Sequence, residues 1–201
     1  FIPGTGTDVG KTTVNAALAE ALRTLGVRVG VFKPIASGCP KHPECGTPEL
    51  LTDDDYLSPD GVFAGRAAGL DVRDDAVLRV ISPLRYGAPV SPHIAARVEG
   101  RPADWARVAS AIAYWDESCD FLLMEGAGGW LVPLDDELFT IADLSVRMRL
   151  PVLVVTLPEL GTLNATALTV TSIRSAGLTV EGLVVNRMPR ELGLAEATNL
   201  E

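Results

Sequence analysis

A chain of 201 residues lies within the usual size range of one domain, and its 47% apolar and 21% charged residues are ordinary globular usage. These values exclude disorder of the whole chain and a collagen-like or coiled-coil composition. The formal net charge is -9, from 17 Lys and Arg against 26 Asp and Glu, and no run of basic residues offsets it. Because such a surface repels a polyphosphate backbone, we expect no nucleic-acid partner.

The cysteines indicate a compartment. Cys39, Cys45 and Cys119 form an odd, unevenly spaced set in a chain long enough to fold without disulfides, which favours the reducing cytoplasm.

The strongest candidate for a membrane segment, residues 150–157, is far shorter than the roughly 20 residues that a spanning helix needs, so we expect no membrane segment. The chain begins with Phe and enters a glycine-rich turn at once, so we expect it to be shortened at both ends.

Two hydrophobic periods alternate along the chain. Short runs that are apolar on successive residues are typical of strands buried on both faces, and they lie at 27–32, 121–124, 152–156 and 183–185. Stretches of helical length separate them, at 12–25, 103–117, 141–149 and 163–176. This alternation predicts an α/β fold with a mostly parallel sheet flanked by helices. The stretch from Cys39 to Asp60 is rich in Pro, Gly and Asp and predicts a long loop that is functional or mobile.

The sharpest motif is a glycine-rich loop from Gly4 to Thr12, between a short apolar strand and a helix. Glycines let backbone N–H groups point at phosphate oxygens, and the helix N-terminus adds positive potential. Lys11 can reach the β- and γ-phosphates, and Thr12 can ligate Mg²⁺. The loop is a variant, because five residues separate Gly4 from Gly10 where the common motif has four. The alternative is a strand-to-helix turn of purely structural use.

Acidic side chains occur where metal ligands would be expected. Glu125 closes the apolar run at 121–124 and precedes small residues, and α/β sheets bind ligands at the carboxyl ends of their strands. Glu125 could therefore hold Mg²⁺ directly or through water, with a solvent-facing glutamate as the alternative. Asp53, Asp54 and Asp55 supply further hard oxygen ligands, although three adjacent acids are also typical of a solvated turn.

Lys33 ends the strand predicted at 27–32. An ammonium at that position can reach across the cleft toward a transferred phosphate, and Ser37 can hydrogen-bond a ligand. The alternative for Lys33 is an ordinary surface lysine.

A C-x2-H-x2-C spacing joins Cys39, His42 and Cys45 and resembles a zinc site. Zinc needs four ligands, and the only other His and Cys in the sequence are His93 and Cys119. We therefore do not expect zinc. His93 is expected to cap or pack beneath a turn rather than to act as a general base.

Taken together, these motifs resemble the dethiobiotin synthetase family, the ATP-dependent enzymes of biotin biosynthesis. Six blocks carry the resemblance in the family's order: GTGTDVGKT at 4–12, KPIASG at 33–38, PVSPHI at 89–94, EGAGG at 125–129, LGTLN at 160–164 and VVN at 184–186. The resemblance implies one Rossmann-like P-loop domain over residues 1–201 and a homodimer with its sites at the subunit interface.

The resemblance also implies a reaction. Diaminopelargonate (7,8-diaminopelargonic acid), CO2 and ATP with Mg²⁺ give dethiobiotin, ADP and phosphate, through a carbamate and a carbamic-phosphoric anhydride. The protein has to place carbamate and γ-phosphate in line and neutralise the charge between them. By this resemblance Lys11 and Lys33 are catalytic and Thr12, Asp55 and Glu125 bind the metal. Asp54 is the alternative to Asp55, because the length of this loop varies.

The remaining contacts implied by the resemblance fall into two groups. Nucleotide contacts are expected from Asp8, Val9, Gly10, Lys11, Thr12, Thr13, Asp55, Glu125, Gly126, Ala127, Gly128, Asn186 and Arg187, with Asn186 reading the adenine. The carbamate end of the diamine is expected to contact Thr7 and Ser37. Its carboxylate is expected at a helix N-terminus of the other subunit, whose N–H groups suit an anion and which comprises Gly161, Thr162, Leu163 and Asn164.

Other classes of protein share this core. A ParA/MinD-type ATPase switch carries a lysine early in its loop, but the corresponding position, four residues before Gly10, is Gly6. An amidotransferase-type synthase of corrinoid biosynthesis carries a glutaminase domain with a nucleophilic cysteine, which neither the length nor Cys119 supports. A non-catalytic nucleotide-binding module would bind ATP without turnover that depends on both diamine and bicarbonate.

Overall fold

The computed structural model describes residues 1–42 and 52–199. Its strands are β1 (Ile2–Gly4), β2 (Val29–Phe32), β3 (Ile35–Ala36), β4 (Leu84–Arg85), β5 (Phe121–Gly129), β6 (Val152–Thr156) and β7 (Val180–Val185). Its α-helices are α1 (Lys11–Thr24), α2 (Pro59–Ala67), α3 (Asp75–Ile81), α4 (Pro92–Val98), α5 (Trp105–Ser118), α6 (Ile141–Met148), α7 (Thr162–Ser175) and α8 (Leu194–Thr198), and a 3₁₀ turn spans Asp53–Asp55.

A five-stranded parallel sheet in the order β2-β5-β1-β6-β7 forms the centre of the fold. All four residues of β2 are buried, as expected for a strand covered on both faces. The strand β7 lies at one edge and alternates between exposed and partly buried residues. The predicted α/β fold with a mostly parallel sheet is confirmed. Parallel pairing brings the carboxyl ends of β1, β2, β5 and β6 to one edge, where ligands bind in such sheets.

Predicted and observed elements differ mainly at their ends. The strand at 152–156 and the four predicted helices lie within two residues of their expected bounds. The strand that we expected to close at Glu125 continues to Gly129, because its small residues pair with β1, where Gly4 lies opposite Gly129. Asp104 starts α5 slightly later than predicted, since its side chain accepts hydrogen bonds from the N–H groups of Ala106 and Arg107.

The stretch from Cys39 to Asp60 is only partly a loop. It contains the 3₁₀ turn, and α2 already begins at Pro59. Four helices, α2 to α4 and α8, were not predicted, because they are short, two of them begin with proline and α2 also contains glycines. Gly65 of α2 serves packing rather than a turn, since a Cβ there would lie 2.6 Å from Cγ1 of Val72. Cys45 lies outside the described residues, so the C-x2-H-x2-C motif is described only at Cys39 and His42.

The core lies between the sheet and its helices. Its largest fully buried side chains include Phe32, Met124, Ile141 and Tyr86. Within the described part of the chain, no helix is long and apolar enough to cross a membrane.

Candidate active site

The glycine-rich loop joins β1 to α1 in an unusual backbone conformation. Asp8 and Gly10 both have positive φ, 58° and 91°. A Cβ on Gly10 would lie 1.9 Å from Nδ2 of Asn186, so both the backbone and the available space require glycine there. Asn186 follows β7 and donates from Nδ2 to the carbonyl oxygen of Val9 at 2.9 Å. The end of β7 therefore holds the loop in place.

Glu125 is a buried carboxylate with three donors. Its side chain is 1% exposed. Thr12 Oγ1 donates to Oε1 at 2.8 Å, Lys33 Nζ donates to the same oxygen at 2.9 Å, and Asn15 Nδ2 donates to Oε2 at 3.2 Å. These partners compensate for the cost of burying the charge. Asn15 lies three residues after Thr12 on one face of α1, and this spacing is the only sequence signal that could have identified it.

Two buried lysines face the cavity from different elements. Lys11 is 6% and Lys33 is 8% exposed. Lys11 Nζ donates to the carbonyl oxygen of Gly6 at 2.9 Å, and burial lowers the pKa of Lys11 even though Glu125 opposes this effect. Lys33 Nζ contacts both Glu125 and Asp60. Burial alone would lower the pKa of Lys33, but the charges of Glu125 and Asp60 outweigh it and raise that pKa. Lys33 is therefore a fixed positive charge at neutral pH.

A polar cavity of about 380 Å³ unites these groups, and most of the predicted site residues line it. Its lining comprises Thr7, Asp8, Gly10, Lys11, Thr12, Thr13, Lys33, Ser37, Asp60, Glu125, Ala127, Gly128 and Arg187. Since the lining includes the glycine-rich loop, two ammonium groups and three carboxylates, the cavity suits an anionic ligand together with a cation.

The structure does not bring Asp55 to this cavity. The Asp55 carboxylate accepts hydrogen bonds from N and Oγ1 of Thr52, at 2.6 and 2.7 Å, and caps the 3₁₀ turn. Asp54, the alternative, forms ion pairs with Arg79, Arg85 and Arg107. Asp55 is thus held by local hydrogen bonds, and Asp54 by arginines from other elements.

Asp60, which sequence reasoning missed, lines the cavity instead. It lies in the first turn of α2, after the N-cap residue Ser58 and Pro59. A capping serine followed by proline is a sequence signal for a helix N-terminus, and an acid in that first turn is favourable. The sequence therefore contained a signal for this helix, but the neighbouring Pro, Gly and Asp residues favoured the prediction of a long loop.

Several predicted contacts lie beside the cavity rather than in its lining. Val9 is buried in the core. Gly126 of β5 packs against α6, where a Cβ would lie 3.2 Å from Cγ2 of Ile141. The side-chain amide of Asn186 is engaged by the loop. His93 lies in the first turn of α4, outside the cavity lining.

The segment from Gly161 to Asn164 does not line this protomer's cavity. Gly161 precedes α7 with a φ of 98° and provides no side-chain cap. The N–H of Thr162 donates to the carbonyl oxygen of Glu159 at 3.1 Å, and the N–H groups that follow it in the first turn receive no cap from Gly161. Leu163 and Asn164 are exposed. Their assignment to a site in the other subunit stays a prediction.

Comparisons with known proteins identify the family. A family model described as an AAA domain matches residues 1–200. The chain is 38% identical over 186 residues to the ATP-dependent dethiobiotin synthetase of Escherichia coli (strain K12), which covers 92% of this chain and 76% of that protein. It is 40% identical over 201 residues to that of Rhodococcus jostii (strain RHA1), covering 100% and 78%. The chain belongs to the dethiobiotin synthetase family.

A third relative supports the same assignment. The dethiobiotin synthetase of Bacillus velezensis is 36% identical over 203 residues, covering 99% of this chain and 78% of the relative. The resemblance inferred from the six sequence blocks is thereby confirmed. All six dethiobiotin synthetase blocks lie within the part of the chain that the structure describes, and the blocks at 4–12, 33–38 and 125–129 contribute to the cavity lining.

Proposed function

We propose that this chain is an ATP-dependent dethiobiotin synthase that converts diaminopelargonate, CO2 and ATP into dethiobiotin, ADP and phosphate. The observation that carries the proposal is the pair of buried lysines, Lys11 and Lys33, that face the buried carboxylate of Glu125 beside a glycine-rich loop. Family membership supplies the substrates by analogy. One domain over residues 1–201 would house the whole site.

The triphosphate would lie along the loop at the N-terminus of α1. The loop N–H groups and the helix dipole favour an anion there, and Lys11 adds a charge at the position of the β- and γ-phosphates. Arg187 and Asp8 line the same cavity and would contact the nucleotide. Asn186, whose side chain holds Val9, would read the adenine from its place next to the loop.

The oxygen ligands near Lys33 suit Mg²⁺. Thr12, Glu125 and Asp60 all line the cavity, and the Lys33 ammonium contacts both carboxylates, so the two carboxylates lie close to each other. Among residues 1–42 and 52–199, no three His, Cys, Asp or Glu side chains gather into a metal site by themselves. Mg²⁺ is usually held by one or two carboxylates together with phosphate oxygens, so this donor set fits it. When bound, the ion would neutralise phosphate charge.

The reaction has three bond-forming steps. One amine of the substrate attacks CO2 and loses a proton to give a carbamate. A carbamate oxygen then attacks the γ-phosphorus and displaces ADP. The second amine attacks the carbonyl carbon of the resulting anhydride, expels phosphate and loses a proton as the ring closes. Lys33, protonated because its pKa is raised, would stabilise the charge between carbamate and phosphate rather than accept a proton. Thr7 and Ser37 would orient the carbamate.

We further propose a homodimer in the cytoplasm. The α7 N-terminus is exposed, and Leu160, Leu163 and Leu168 around it are 91%, 62% and 64% exposed. A second copy would cover this apolar surface, and the carboxylate of its substrate would lie at the α7 N-terminus, beside the segment from Gly161 to Asn164. Cys39 and Cys119 are free thiols, which fits a reducing compartment.

Product formation tests the proposal. The protein is mixed with Mg-ATP, bicarbonate and diaminopelargonate, and the cyclic urea is sought by mass spectrometry. We expect dethiobiotin from the wild type and from Lys41→Ala, which removes an exposed lysine outside the cavity. We expect none above background when the diamine is omitted. ATP hydrolysis that is unaffected by diamine and yields no urea would overturn the proposal and favour the ParA/MinD-type switch.

A further inference from the structure

Four threonine hydroxyls form a connected cluster between the glycine-rich loop and α7. Thr156, the last residue of β6, lies at its centre and is 3% exposed. Its Oγ1 lies 3.1 Å from that of Thr5, 2.8 Å from that of Thr162 and 3.0 Å from that of Thr166. We call these four residues the threonine cluster.

The hydrogen-bonding capacity of Thr156 Oγ1 is fully used. A hydroxyl has one proton to donate and two lone pairs to accept with. Thr166 donates to Thr156, so the contacts to Thr5 and Thr162 take the remaining lone pair and the proton of Thr156. A change at one of these partners therefore alters the bonds that are open to the other.

Thr156 also joins three backbone segments. Thr5, in the glycine-rich loop, donates its N–H to the carbonyl of Val155 at 3.0 Å. Thr162 and Thr166 belong to the first two turns of α7. The carbonyl of Thr156 accepts the N–H of Asn186 at 2.8 Å, and the Asn186 side chain in turn holds the loop. One residue thus contacts the loop, the start of α7 and the end of β7.

We propose that Thr156 is a positioning residue whose hydroxyl couples nucleotide binding at the loop to the order of the first turns of α7. The inference deepens the proposed function. Its second part, the link between nucleotide and diamine binding, rests on that function, which assigns α7 to the substrate carboxylate of the partner subunit. A nucleotide that immobilises the loop would order α7 through Thr5, Thr156 and Thr162. In a dimer, the subunit that holds ATP would thereby prepare the diamine site of its partner.

Linkage makes the coupling reciprocal. If nucleotide raises diamine affinity by some factor, diamine raises nucleotide affinity by the same factor. Since a net hydrogen bond between neutral groups contributes a modest free energy, we expect a factor of about three to ten. Ordering without a large displacement is sufficient for such an effect.

The alternative is that the threonine cluster only stabilises the fold. Thr169 provides a matched comparison. It lies on α7, is 9% exposed and donates to the carbonyl of Ala165 at 2.8 Å, outside the threonine cluster. Thr156→Val keeps the shape and removes the hydroxyl, Thr156→Ser keeps the hydroxyl, and Thr169→Val removes an uncoupled one. A purely structural role would lower the melting temperature in both valine variants and leave the coupling unchanged.

The decisive measurement is hydrogen exchange of the α7 amides with and without Mg²⁺ and a non-hydrolysable ATP analogue. We expect the analogue to slow exchange in the wild type, Thr156→Ser and Thr169→Val, and to lose most of this effect in Thr156→Val. Equal slowing in Thr156→Val would overturn the proposal. If Thr156→Val does not fold, Thr166→Val, which removes one bond to Thr156, is expected to show a reduced effect, and full slowing there would equally overturn it.

Calorimetric titration of diaminopelargonate with and without the ATP analogue tests the second part of the proposal, the link between nucleotide and diamine binding. We expect the factor of about three to ten in the wild type and a factor near one in Thr156→Val. A wild-type factor near one, in a protein that makes dethiobiotin, would refute the coupling and leave the proposed function standing. Nucleotide-dependent protection of α7 in a protein that makes no dethiobiotin would refute the proposed function and leave the loop-to-helix coupling standing.

Discussion

The ammonium of Lys33 lies 2.9 Å from the carboxylate of Glu125 because the two residues occupy equivalent places on neighbouring strands. Phe32 of β2 pairs with Met124 of β5, and Lys33 and Glu125 are the next residues in each case. The parallel register therefore places the positive charge opposite the negative one. A slip of one residue would turn one of these side chains to the other face of the sheet.

Replacing Lys33 by Ala should reduce the rate of dethiobiotin formation by about 10²-fold or more, because the transferred charge loses a fixed stabilising group. The check is the initial rate at saturating substrates, beside Lys41→Ala as the exposed-lysine control. Thermal unfolding should be recorded as well, since Glu125 loses a partner in this variant. A rate near that of the wild type would mean that Lys33 has no part in phosphoryl transfer.

Substitutions of Asp60 and Asp55 are expected to have different effects on the Mg²⁺ dependence of activity. Asp60→Asn should raise the Mg²⁺ concentration needed for half-maximal activity by about tenfold, because one of two hard carboxylate donors is lost. Asp55→Asn should leave this concentration unchanged and lower stability by about 1 kcal/mol, because it weakens the cap of the 3₁₀ turn. Magnesium titrations of both variants decide the matter. The reverse pattern would restore the original assignment of Asp55 to the metal.

Gly10→Ala should abolish tight nucleotide binding and lower the melting temperature. Its Cβ would lie 1.9 Å from the Asn186 side chain in a left-handed backbone conformation, which costs about 1–3 kcal/mol. Gly6→Ala is the matched variant for stability, because a Cβ there meets nothing within 4 Å. Thermal unfolding should therefore separate the two glycines, and an unchanged melting temperature for Gly10→Ala would contradict the described packing.

Asn164→Pro, which removes a backbone N–H in the first turn of α7, should weaken diamine binding more than ATP binding. The reason is the assignment of this helix N-terminus to the substrate carboxylate, while the phosphate loop remains intact. Separate calorimetric titrations with diamine and with an ATP analogue measure the two affinities. Equal loss of both would count against the assignment.

Asp54 should make the fold sensitive to acid. Burial by itself would raise the pKa of Asp54, but Arg107, Arg79 and Arg85 outweigh it and lower the pKa below its ordinary value. A depressed folded-state pKa contributes stability that is present above the unfolded pKa and is lost as the pH falls through the folded one. Asp54→Asn should thus destabilise the protein at pH 7 and have less effect near pH 3. Denaturant unfolding at both pH values measures the difference, and a pH-independent difference would contradict it.

Much of the candidate site could be predicted because its signals are local. The loop from Gly4 to Thr12 is one continuous segment. Lys33 and Glu125 each follow a short apolar run, and these two runs pair with each other in the sheet. The spacing of glycine, lysine and threonine reflects the phosphate chemistry directly. Alternating strands and helices likewise predicted a parallel sheet without any long-range information.

Asp60, Asn15 and Thr156 depend on the tertiary structure. Whether an acid among 53–60 reaches the cavity is decided by which arginines from α3, β4 and α5 fold against Asp53 and Asp54, and no local pattern contains those pairings. Thr156 acquires its role only when residues 151 positions apart, Thr5 and Thr156, become neighbours where the adjacent strands β1 and β6 end. By itself the sequence determined the strands of the central sheet, four of the helices and the phosphate loop, because neighbouring residues encode them. Only packing decided which side chains share the cavity, because contact between distant residues follows from strand register and helix placement.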